Sequence, residues 1–428
     1  MSSLTSLAPK PKNLEETGLS KQFLSELVSK HLYDAGALTI KTLTKRIALP
    51  GAVIEELLNY LRQEARLEVL PKLGHGQELH FSLTDLGRVA AFDALSKSGY
   101  IGAAPVPLQQ YQQTVEAQSV HHNQITQDIT HAAFNDVVIK DSLLDKLGPA
   151  LNSGRAIIIY GPSGTGKTFI SQRLTWLLTD HCLVPQAISV NEAVIQVFDP
   201  LLHKEVSIQD SEATSNLLFA SGFDNRFRLC KRPVVISGGE LTLDMLEVQY
   251  SQSTRLYQAP LQIKANNGMF IIDDMGRQRV SPTDLFNRWI VPMEEKQDHL
   301  SLSNGQHFKV PFNVILIFST NINPLELGDM AFIRRIGHKI LFDTLDHGEF
   351  IKIWDQVCRE KQISCSDELL SYLFDYHYKR EQRPLLPCHP RDLLGIAQDK
   401  ATYLGASTVL TKELLDWAWD SYFVKLES

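Results

Sequence analysis

The spacing of apolar residues divides the chain into three regions. Residues 19–98 alternate short helical patterns with one pair of strands, and in one of these helices Val53, Leu57 and Leu61 share a face. From Phe134 onward, short β-rich apolar runs alternate with helical stretches, which is typical of a parallel α/β sheet. After about residue 346 the pattern predicts four helices, near residues 347–362, 366–380, 390–404 and 411–426.

The first region has the element order of a winged-helix domain: helix, short helix, helix, and then two strands joined by a glycine-containing turn. Winged helices often bind DNA through a recognition helix that carries several basic residues. Here Arg62 and Arg66 are balanced by nearby glutamates, and residues 1–100 contain 12 Lys and Arg against 11 Asp and Glu. Because phosphate binding requires clustered cations, these charges favour a protein-contact module over a DNA reader.

Residues 100–130 are rich in Gln, Ala and Pro, and this composition predicts a linker. His121 and His122 in this stretch are adjacent side chains without a nearby Cys or acidic partner, so we expect exposed histidines rather than metal ligands. The predicted organisation is a winged-helix-like α+β domain at 1–99, a linker at 100–130, an α/β domain at 131–346 and a helical domain at 347–428.

Within the α/β domain, the residues around Asn304 and Gly305 predict a β-hairpin with two possible registers. A two-residue Asn-Gly turn would mix apolar and polar side chains on both faces. A three-residue loop with Gly305 in the left-handed conformation pairs Leu300 with Phe308 and gathers the apolar residues on one face. We expect the second register, in a hairpin that projects from the sheet.

Composition narrows the class of protein. A chain of 428 residues should form two or three domains, and its net charge of −7 gives no overall attraction to nucleic acid or anionic membranes. No apolar run reaches the length of a membrane span, and the N-terminus lacks the apolar stretch of a secretory signal. The five cysteines contain no CxxC pair, which fits a reducing compartment better than a disulfide framework or zinc site. We therefore expect a cytoplasmic protein.

The most specific motif is a glycine-rich loop between an apolar strand, Ala156–Tyr160, and a helical pattern. The loop consists of Gly161, Pro162, Ser163, Gly164, Thr165, Gly166, Lys167 and Thr168. Its glycines let successive backbone N–H groups point inward at phosphate oxygens. We expect Lys167 to contact the β- and γ-phosphates of a nucleotide, and Thr168 to offer its hydroxyl to Mg²⁺. The motif therefore predicts binding of ATP or a related nucleotide with Mg²⁺.

A second motif lies at the end of the apolar strand that precedes Asp273 and Asp274. We expect Asp273 to hold Mg²⁺ through water, and Asp274 to orient or deprotonate an attacking water. An acidic pair that only solvates the strand end is the alternative, and it is weakened by the phosphate loop, since Mg-ATP sites need such a strand. The next strand ends at Asn321, whose amide is placed to help position the water; taken alone, Asn321 would be a turn-forming residue.

In series, these motifs resemble those of an AAA+ ATPase across roughly residues 134–428. The glycine-rich loop resembles a Walker A motif, Ile272–Asp274 a Walker B motif, and Asn321 a sensor 1 residue. The segment MAFIRRIGHKI resembles the helix end that carries an arginine finger, and HPRDL resembles a sensor 2 motif with Arg391. The helix before the hairpin, and the hairpin itself, resemble the pre-sensor-1-hairpin branch, which includes MoxR-type and magnesium-chelatase-type ATPases.

The resemblance implies an ATPase that assembles into a ring, usually a hexamer, with each Mg-ATP at a subunit boundary. Arg335 would reach the γ-phosphate of a neighbouring subunit, with Arg334 as the adjacent alternative. Arg391 would close the helical lid over the same phosphate, and the residues Phe134–Val138 would pack against adenine. Without the resemblance, Arg334 and Arg335 would be ordinary surface cations at a helix end.

Two departures from the family pattern affect the expected activity. Asp274 stands where the family usually carries a glutamate, and a misplacement of about 1 Å can cost on the order of 100-fold in rate, so we expect slow hydrolysis. The span from Lys167 to Asp273 is also long, and the excess between about 190 and 262 predicts an inserted hairpin or loop near the pore face of the ring. We find no clear aromatic–hydrophobic–glycine pore loop in the sequence, so threading of a substrate is not predicted.

Three functions compete at this point. The first is an ATPase ring that remodels a protein partner recruited by the N-terminal domain. The second is a nucleotide-gated switch or scaffold with little turnover, which the paired aspartates favour and the series Asn321, Arg335 and Arg391 disfavours. The third is a DNA-acting helper ATPase that uses the winged helix, an idea weakened by the charge balance of that region.

Overall fold

The computed structural model describes residues 6–70, 78–122, 124–206, 222–327, 330–405 and 409–424. In chain order, its α-helices are α1 Lys21–Ala35, α2 Ile40–Ile47, α3 Gly51–Gln63, α4 Asp85–Lys97, α5 Leu108–Ala117, α6 Gln127–Ala133, α7 Asp141–Asn152, α8 Lys167–Arg173, α9 Leu261–Lys264, α10 Pro282–Glu295, α11 Pro324–Leu327, α12 Met330–Ile333, α13 His347–Lys361, α14 Asp367–Tyr372, α15 Lys379–Glu381, α16 Cys388–Tyr403 and α17 Lys412–Tyr422. Its strands are β1 Ala37–Thr39, β2 Leu67–Leu70, β3 His80–Leu83, β4 Val106–Pro107, β5 Ile157–Tyr160, β6 His181–Pro185, β7 Ala187–Val190, β8 Ala193–Gln196, β9 Phe227–Lys231, β10 Val234–Ser237, β11 Gln249–Ser251, β12 Leu256–Gln258, β13 Gly268–Ile272, β14 Gln297–Ser301, β15 His307–Pro311, β16 Val314–Thr320 and β17 His338–Leu341.

The chain folds into two compact units, each built from separated stretches of sequence. The first unit contains residues 1–123, 178–270 and 279–315, and the second contains residues 124–177, 271–278 and 316–428. This division differs from the contiguous domains expected from the sequence, because the first hundred residues share a unit with segments that lie far along the chain.

The N-terminal part of the first unit packs α1, α2, α3 and α4 with a three-stranded sheet in the order β1-β3-β2. Ser20 begins α1 by accepting a hydrogen bond from the Phe23 backbone N–H, which satisfies an otherwise unpaired donor. The apolar stripe that contains Val53, Leu57 and Leu61 is buried in the core of this region. The predicted order of elements is therefore present, the turn between β2 and β3 lies outside the described residues, and the winged-helix identification stays a prediction.

The stretch predicted as a linker contains regular structure. Val106–Pro107 forms β4, and α5 follows directly with Tyr111 and Val115 on its buried side. The Tyr111 hydroxyl accepts a hydrogen bond from the Asn266 side-chain amide at 2.8 Å, so its polar tip is satisfied inside the core. The frequent Gln and Ala of this stretch concealed a helix whose buried apolar residues, Tyr111 and Val115, lie on one face.

The excess sequence between about 190 and 262 is larger than the single hairpin or loop that we expected. It supplies β8, β11 and β12 to a five-stranded sheet ordered β11-β12-β8-β7-β4. Nearby, the fully buried Arg226 pairs with Asp224 at 2.8 Å, and it also donates to the Thr17 carbonyl oxygen at 2.9 Å. Because a buried guanidinium requires a partner for each donor, this network fixes the N-terminal segment to the added strands of the same unit.

The hairpin of β14 and β15 adopts the register that the sequence predicts. Leu300 pairs with Phe308, and Gly305 has a φ of 83°. The hairpin does not simply project, because its apolar face is part of the core of the first unit, where Leu300 and Val310 are each 1% exposed. The predicted register is confirmed, and its physical basis is the burial of one face.

The predicted α/β class is confirmed by a five-stranded parallel sheet in the order β10-β13-β16-β5-β17. The strand β5, which leads into the glycine-rich loop, pairs in parallel with β16 on one side and β17 on the other. Its residues Ile157–Ile159 are completely buried. The carboxyl ends of parallel strands meet at one edge of a sheet, and ligands of α/β proteins bind at that edge.

The C-terminal helices match the four predicted ones closely and form their own core. α13 begins at a capping box, in which Asp346 and Glu349 satisfy each other's backbone N–H groups. The second predicted helix is divided into α14, a wider π-helical segment at Leu373–Tyr378, and α15. Phe350, Trp354 and Trp419 are at most 1% exposed and fill the centre of this core.

No helix among the described residues combines the length and apolar character needed to cross a membrane. All five cysteines are free thiols.

Candidate functional site

The glycine-rich loop leaves β5 in a conformation that only glycine adopts without strain. Gly161, Gly164 and Gly166 have φ values of 144°, 82° and 85°. A Cβ at Gly161 would lie 2.0 Å from the Phe342 carbonyl oxygen, so even a methyl group is excluded there. The shape of the loop is therefore set by neighbouring backbone as well as by its own sequence.

Lys167 points back into this loop. Its ammonium group donates to the Gly161 carbonyl oxygen at 2.9 Å and to the Pro162 carbonyl oxygen at 2.7 Å. Burial lowers the pKa of this ammonium group from its usual value, and the nearby carboxylates of Asp274 and Asp273 oppose that change. Phosphate oxygens are stronger partners for an ammonium group than neutral carbonyls, so a bound triphosphate would compete well for it.

Thr168 and Asp273 are brought together as the sequence predicts for a magnesium site. The Thr168 hydroxyl donates to Asp273 Oδ1 at 3.0 Å, although the two residues are 105 positions apart. Mg²⁺ in nucleotide sites is held by one or two protein oxygens together with phosphates and water, and this pair fits that donor set. The described residues contain no group of three or more His, Cys, Asp or Glu that could hold a metal ion by itself.

Asp274 and Asn321 are also in contact. The Asn321 side-chain amide donates to Asp274 Oδ1 at 3.3 Å, so the ends of β13 and β16 converge beside the glycine-rich loop. Asp274 has a φ of 49°, in the left-handed region that aspartate tolerates better than most residues. The backbone turn sends its carboxylate toward Asn321 instead of along the strand axis.

A glutamine that the sequence analysis did not single out holds the turn after the two aspartates. The Gln278 side-chain amide donates to the backbone carbonyl oxygens of Asp273 at 2.9 Å and Asp274 at 3.2 Å. Its side-chain oxygen accepts from the Gly276 N–H at 2.8 Å. No sequence motif identifies Gln278. The signal that could have found it is a polar side chain two residues after Gly276, in a loop that must turn sharply.

The structure places the three candidate arginines in different settings. Arg334 and Arg335 follow the short helix α12; the Arg334 side chain is exposed and Arg335 is partly buried. Arg391 lies in the first turn of α16 and pairs with Glu360 of α13 at 3.1 Å, with 65% of its side chain exposed. Arg391 thus contacts another residue of the helical region, and the predicted roles of all three arginines stay predictions.

The segment predicted to face adenine, Phe134–Val138, is anchored by hydrogen bonds at and just before its first residues. Phe134 is buried, and the Arg173 guanidinium donates to the Ala133 carbonyl oxygen at 3.1 Å while pairing with the Asp136 carboxylate. The Gln356 side-chain amide of α13 donates to the Asp136 carbonyl oxygen at 3.0 Å. The segment is therefore connected both to the helix after the loop and to the C-terminal helices, while its contact with a base stays a prediction.

A second connection joins the glycine-rich loop to the start of α16. A Cβ at Gly164 would lie 2.7 Å from the Cys388 sulfur and 3.4 Å from Leu386 Cδ1. The loop and the C-terminal helices are thus in van der Waals contact at a point where the loop has no side chain.

Comparison with known proteins adds limited information. A family model described as a domain of unknown function, DUF8689, matches residues 346–421, which span the C-terminal helices. Among curated proteins, no sequence matches the chain.

Similar solved structures include the RuvB Holliday junction branch migration motor of Thermotoga maritima, at 11% identity and a TM-score of 0.38, covering 66% of this chain and 69% of that one. NtrX from Brucella abortus is similar at 12% identity and a TM-score of 0.41, covering 69% of this chain and 58% of that one. Similarity at this level assigns no activity to the chain.

Proposed function

We propose that the chain is an AAA+ ATPase that hydrolyses Mg-ATP slowly, in a cytoplasmic ring whose motion remodels a protein partner. The observation that carries the proposal is the convergence of Thr168 on Asp273 and of Asn321 on Asp274. These contacts place the start of α8 beside the end of β13, and the end of β13 beside the end of β16, and each of these segments was matched from sequence to a part of a nucleotide site. The pairing of a hydroxyl with one aspartate and of an amide with the next favours a nucleotide site over a generic glycine-rich turn at the same edge of the sheet.

Each residue has a role that follows from its chemistry. The glycine-rich loop and Lys167 bind the phosphates, and Thr168 and Asp273 hold Mg²⁺, which neutralises phosphate charge when bound. Asp274 accepts a proton from the attacking water or orients it, and the Asn321 amide limits the directions that the carboxylate can take. The short Asp274 side chain is the reason for proposing a slow enzyme.

One part of the proposal depends on contacts beyond a single subunit: a nucleotide site shared between neighbours in a ring. Arg335, or Arg334 beside it, would supply positive charge to the γ-phosphate of a neighbouring subunit, most simply in a hexamer. Arg391 would reach the phosphate within its own subunit after leaving Glu360. The balanced charges of residues 1–100 favour a protein as the partner of the N-terminal region over DNA.

The direct test combines light scattering with an assay of phosphate release, with and without Mg²⁺ and over a range of protein concentrations. We expect Mg²⁺-dependent release that rises per subunit as the protein assembles, and a larger mass with a non-hydrolysable ATP analogue. A chain that stays monomeric with the analogue and releases no phosphate at any concentration would contradict the proposal.

Asp274→Asn tests the proposed chemistry at one atom. The amide can keep the contact with Asn321 but cannot accept a proton, so turnover should fall by about 10² to 10⁴-fold. Nucleotide affinity, measured by calorimetry, should be retained because the phosphate loop is untouched. The conservative exposed change Asp375→Asn, in the C-terminal helices, serves as the control for a lost carboxylate.

A nucleotide-gated switch is the second candidate, and a specific observation favours it. Lys167 is already satisfied by two loop carbonyls, so nucleotide binding requires a change of partners that can itself be the signal. In a switch, the analogue and ADP would produce different conformations, while Asp274→Asn would leave the binding of both unchanged and there would be little turnover to lose.

A further inference from the structure

The Gln278 side chain spans both peptide groups that flank Asp274. The carbonyl of Asp273 belongs to the peptide group before the Asp274 Cα, and the carbonyl of Asp274 belongs to the one after it. A single side-chain amide donates to both, at 2.9 and 3.2 Å. Because the orientations of these two groups define φ and ψ of Asp274, the amide restricts the direction in which the Asp274 Cβ points.

This restriction matters because Asp274 does not lie in an ordinary backbone conformation. Its φ of 49° falls in the left-handed region, which costs an aspartate less than most residues but still favours glycine. In an extended conformation, the side chain would leave the strand in another direction and lose the 3.3 Å contact with Asn321.

Other described contacts hold the peptide group after Asp274, to which the Met275 N–H belongs, but not the peptide group before it. The Met275 N–H donates to the Ser319 carbonyl oxygen, and the Thr320 hydroxyl donates to the Met275 carbonyl oxygen, both at 2.8 Å. These bonds fasten the loop to β16 one residue beyond Asp274. The Asp274 carbonyl also accepts from the Arg277 N–H at 3.1 Å, which leaves the Asp273 carbonyl dependent on Gln278 among the described contacts.

We propose that Gln278 is a positioning residue for the reaction, which sets the direction of the Asp274 carboxylate by donating to the carbonyl oxygens of Asp273 and Asp274. The inference rests on the proposed ATPase function. Gln278 does not touch phosphate or water in this role; it acts through the backbone of the residue that does. Its effect should therefore appear in turnover and not in nucleotide affinity.

The alternative is that Gln278 merely closes a turn through its bond from the Gly276 N–H. Two substitutions separate these roles. Gln278→Glu keeps an oxygen that accepts from Gly276 but loses both donations and places negative charge against the two carbonyls. Gln278→Met has a similar length and loses all three bonds. A positioning role is damaged by both substitutions, whereas turn closure is damaged only by the methionine.

The experiment measures kcat, KM and the stoichiometry and affinity of ATP-analogue binding for the full-length wild type and both variants. The matched control is Gln112→Met, which removes another glutamine amide that donates to a backbone carbonyl, that of Lys309 at 2.8 Å, far from the site in sequence and in the other compact unit. Thermal melting of all four proteins provides the comparison of stability.

We expect both Gln278 variants to lower kcat by about 10- to 100-fold, the range that a displacement of about 1 Å produces. Binding of one analogue per chain should persist with unchanged affinity, as for loss of an interaction that acts only in the transition state. Gln112→Met should keep the wild-type kcat.

Three results would overturn the inference. Wild-type turnover in Gln278→Glu would assign the residue to turn closure, and wild-type turnover in both variants would show that Asp274 is oriented without it. A wild type that binds the analogue but never turns over would remove the reaction, and the proposed function would fail together with the inference. Failure of the inference alone is recognised by an active wild type and equally active variants.

Discussion

Two parts of the candidate site differ in the contacts that hold them. One part, the acid side, consists of Thr168, Asp273, Asp274 and Asn321. The other part consists of the candidate arginines Arg334, Arg335 and Arg391. On the acid side, Thr168 contacts Asp273 and Asn321 contacts Asp274, and the turn that carries the two aspartates is held by further hydrogen bonds. Arg334 is exposed, and Arg391 is engaged with Glu360 on the solvent side of the C-terminal helices. The groups that would bind phosphate and place water are arranged within one subunit before ligand arrives.

For the proposed ATPase, this difference indicates which steps depend on one subunit and which depend on its neighbours. A preorganised acid side needs no reorganisation during the reaction, which is the arrangement that stabilises a transition state best. In the proposed function, the cations would be brought to the phosphate by a neighbouring subunit or by movement of the C-terminal helices. The proposed function therefore predicts that one chain suffices for nucleotide binding, whereas turnover requires assembly and movement of the C-terminal helices.

The largest expected effect comes from Arg335→Ala. If Arg335 supplies charge to a neighbour, its removal should lower turnover by about 10³-fold or more, as loss of an arginine finger does. Mixing the variant with the wild type should lower activity per wild-type subunit, because each variant subunit leaves its neighbour's site incomplete. Phosphate release across a series of mixing ratios measures this.

Substitutions at two other arginines show whether the loss of activity is specific to Arg335. Arg334→Ala separates the adjacent candidate, and Arg359→Ala removes an exposed arginine of α13 as a control. Equal activity per wild-type subunit at all ratios for both Arg334 and Arg335 variants would mean that the site is not shared.

A smaller effect is expected from Lys167→Met, which changes the glycine-rich loop next to the acid side. Hydrogen bonds to charged groups contribute about 1.5–3 kcal/mol, so affinity for an ATP analogue should fall by roughly 10- to 150-fold. Calorimetry measures the loss, and Lys352→Met on the exposed side of α13 is the control. Unchanged affinity would show that the ammonium group keeps its loop carbonyls as partners even when nucleotide is bound.

The smallest effect is expected from Glu360→Gln, which releases Arg391 from its ion pair. Exposed pairs contribute about 0.2–1 kcal/mol, so a freed Arg391 should change kcat/KM by a factor of about 1.5 to 5. If Arg391 serves the phosphate, the change is an increase, and it disappears in the Arg391→Ala background. A decrease, or an equal change in that background, would show that Glu360 acts independently of Arg391.

Much of the site followed from local sequence, because local motifs encode local geometry. The glycine-rich loop is a continuous stretch, and its three glycines have the positive φ values that its chemistry requires. The hairpin register followed from a single consideration, the burial of one face, and the C-terminal helices followed from helical periodicity. In each case the decisive residues lie within a few positions of one another.

What could not be predicted depends on contacts between distant segments. The pairing of β4 with β7 joins residues 106–107 to residues 188–189, and nothing in either segment specifies the other. The linker prediction missed this strand and α5 for that reason. Gln278 was missed because its partners are backbone carbonyls, which every sequence provides, so only the fold of the turn reveals the bond.

The contact between Gly164 and Cys388 limits the ways in which the C-terminal helices can move. A Cβ at Gly164 would lie only 2.7 Å from the Cys388 sulfur, so the space between these two residues accommodates glycine but no side chain. The start of α16 therefore cannot move closer to the glycine-rich loop at Gly164. A rotation of α16 about Cys388 would keep this contact, and a small rotation there would displace the far end of the helix by a larger distance.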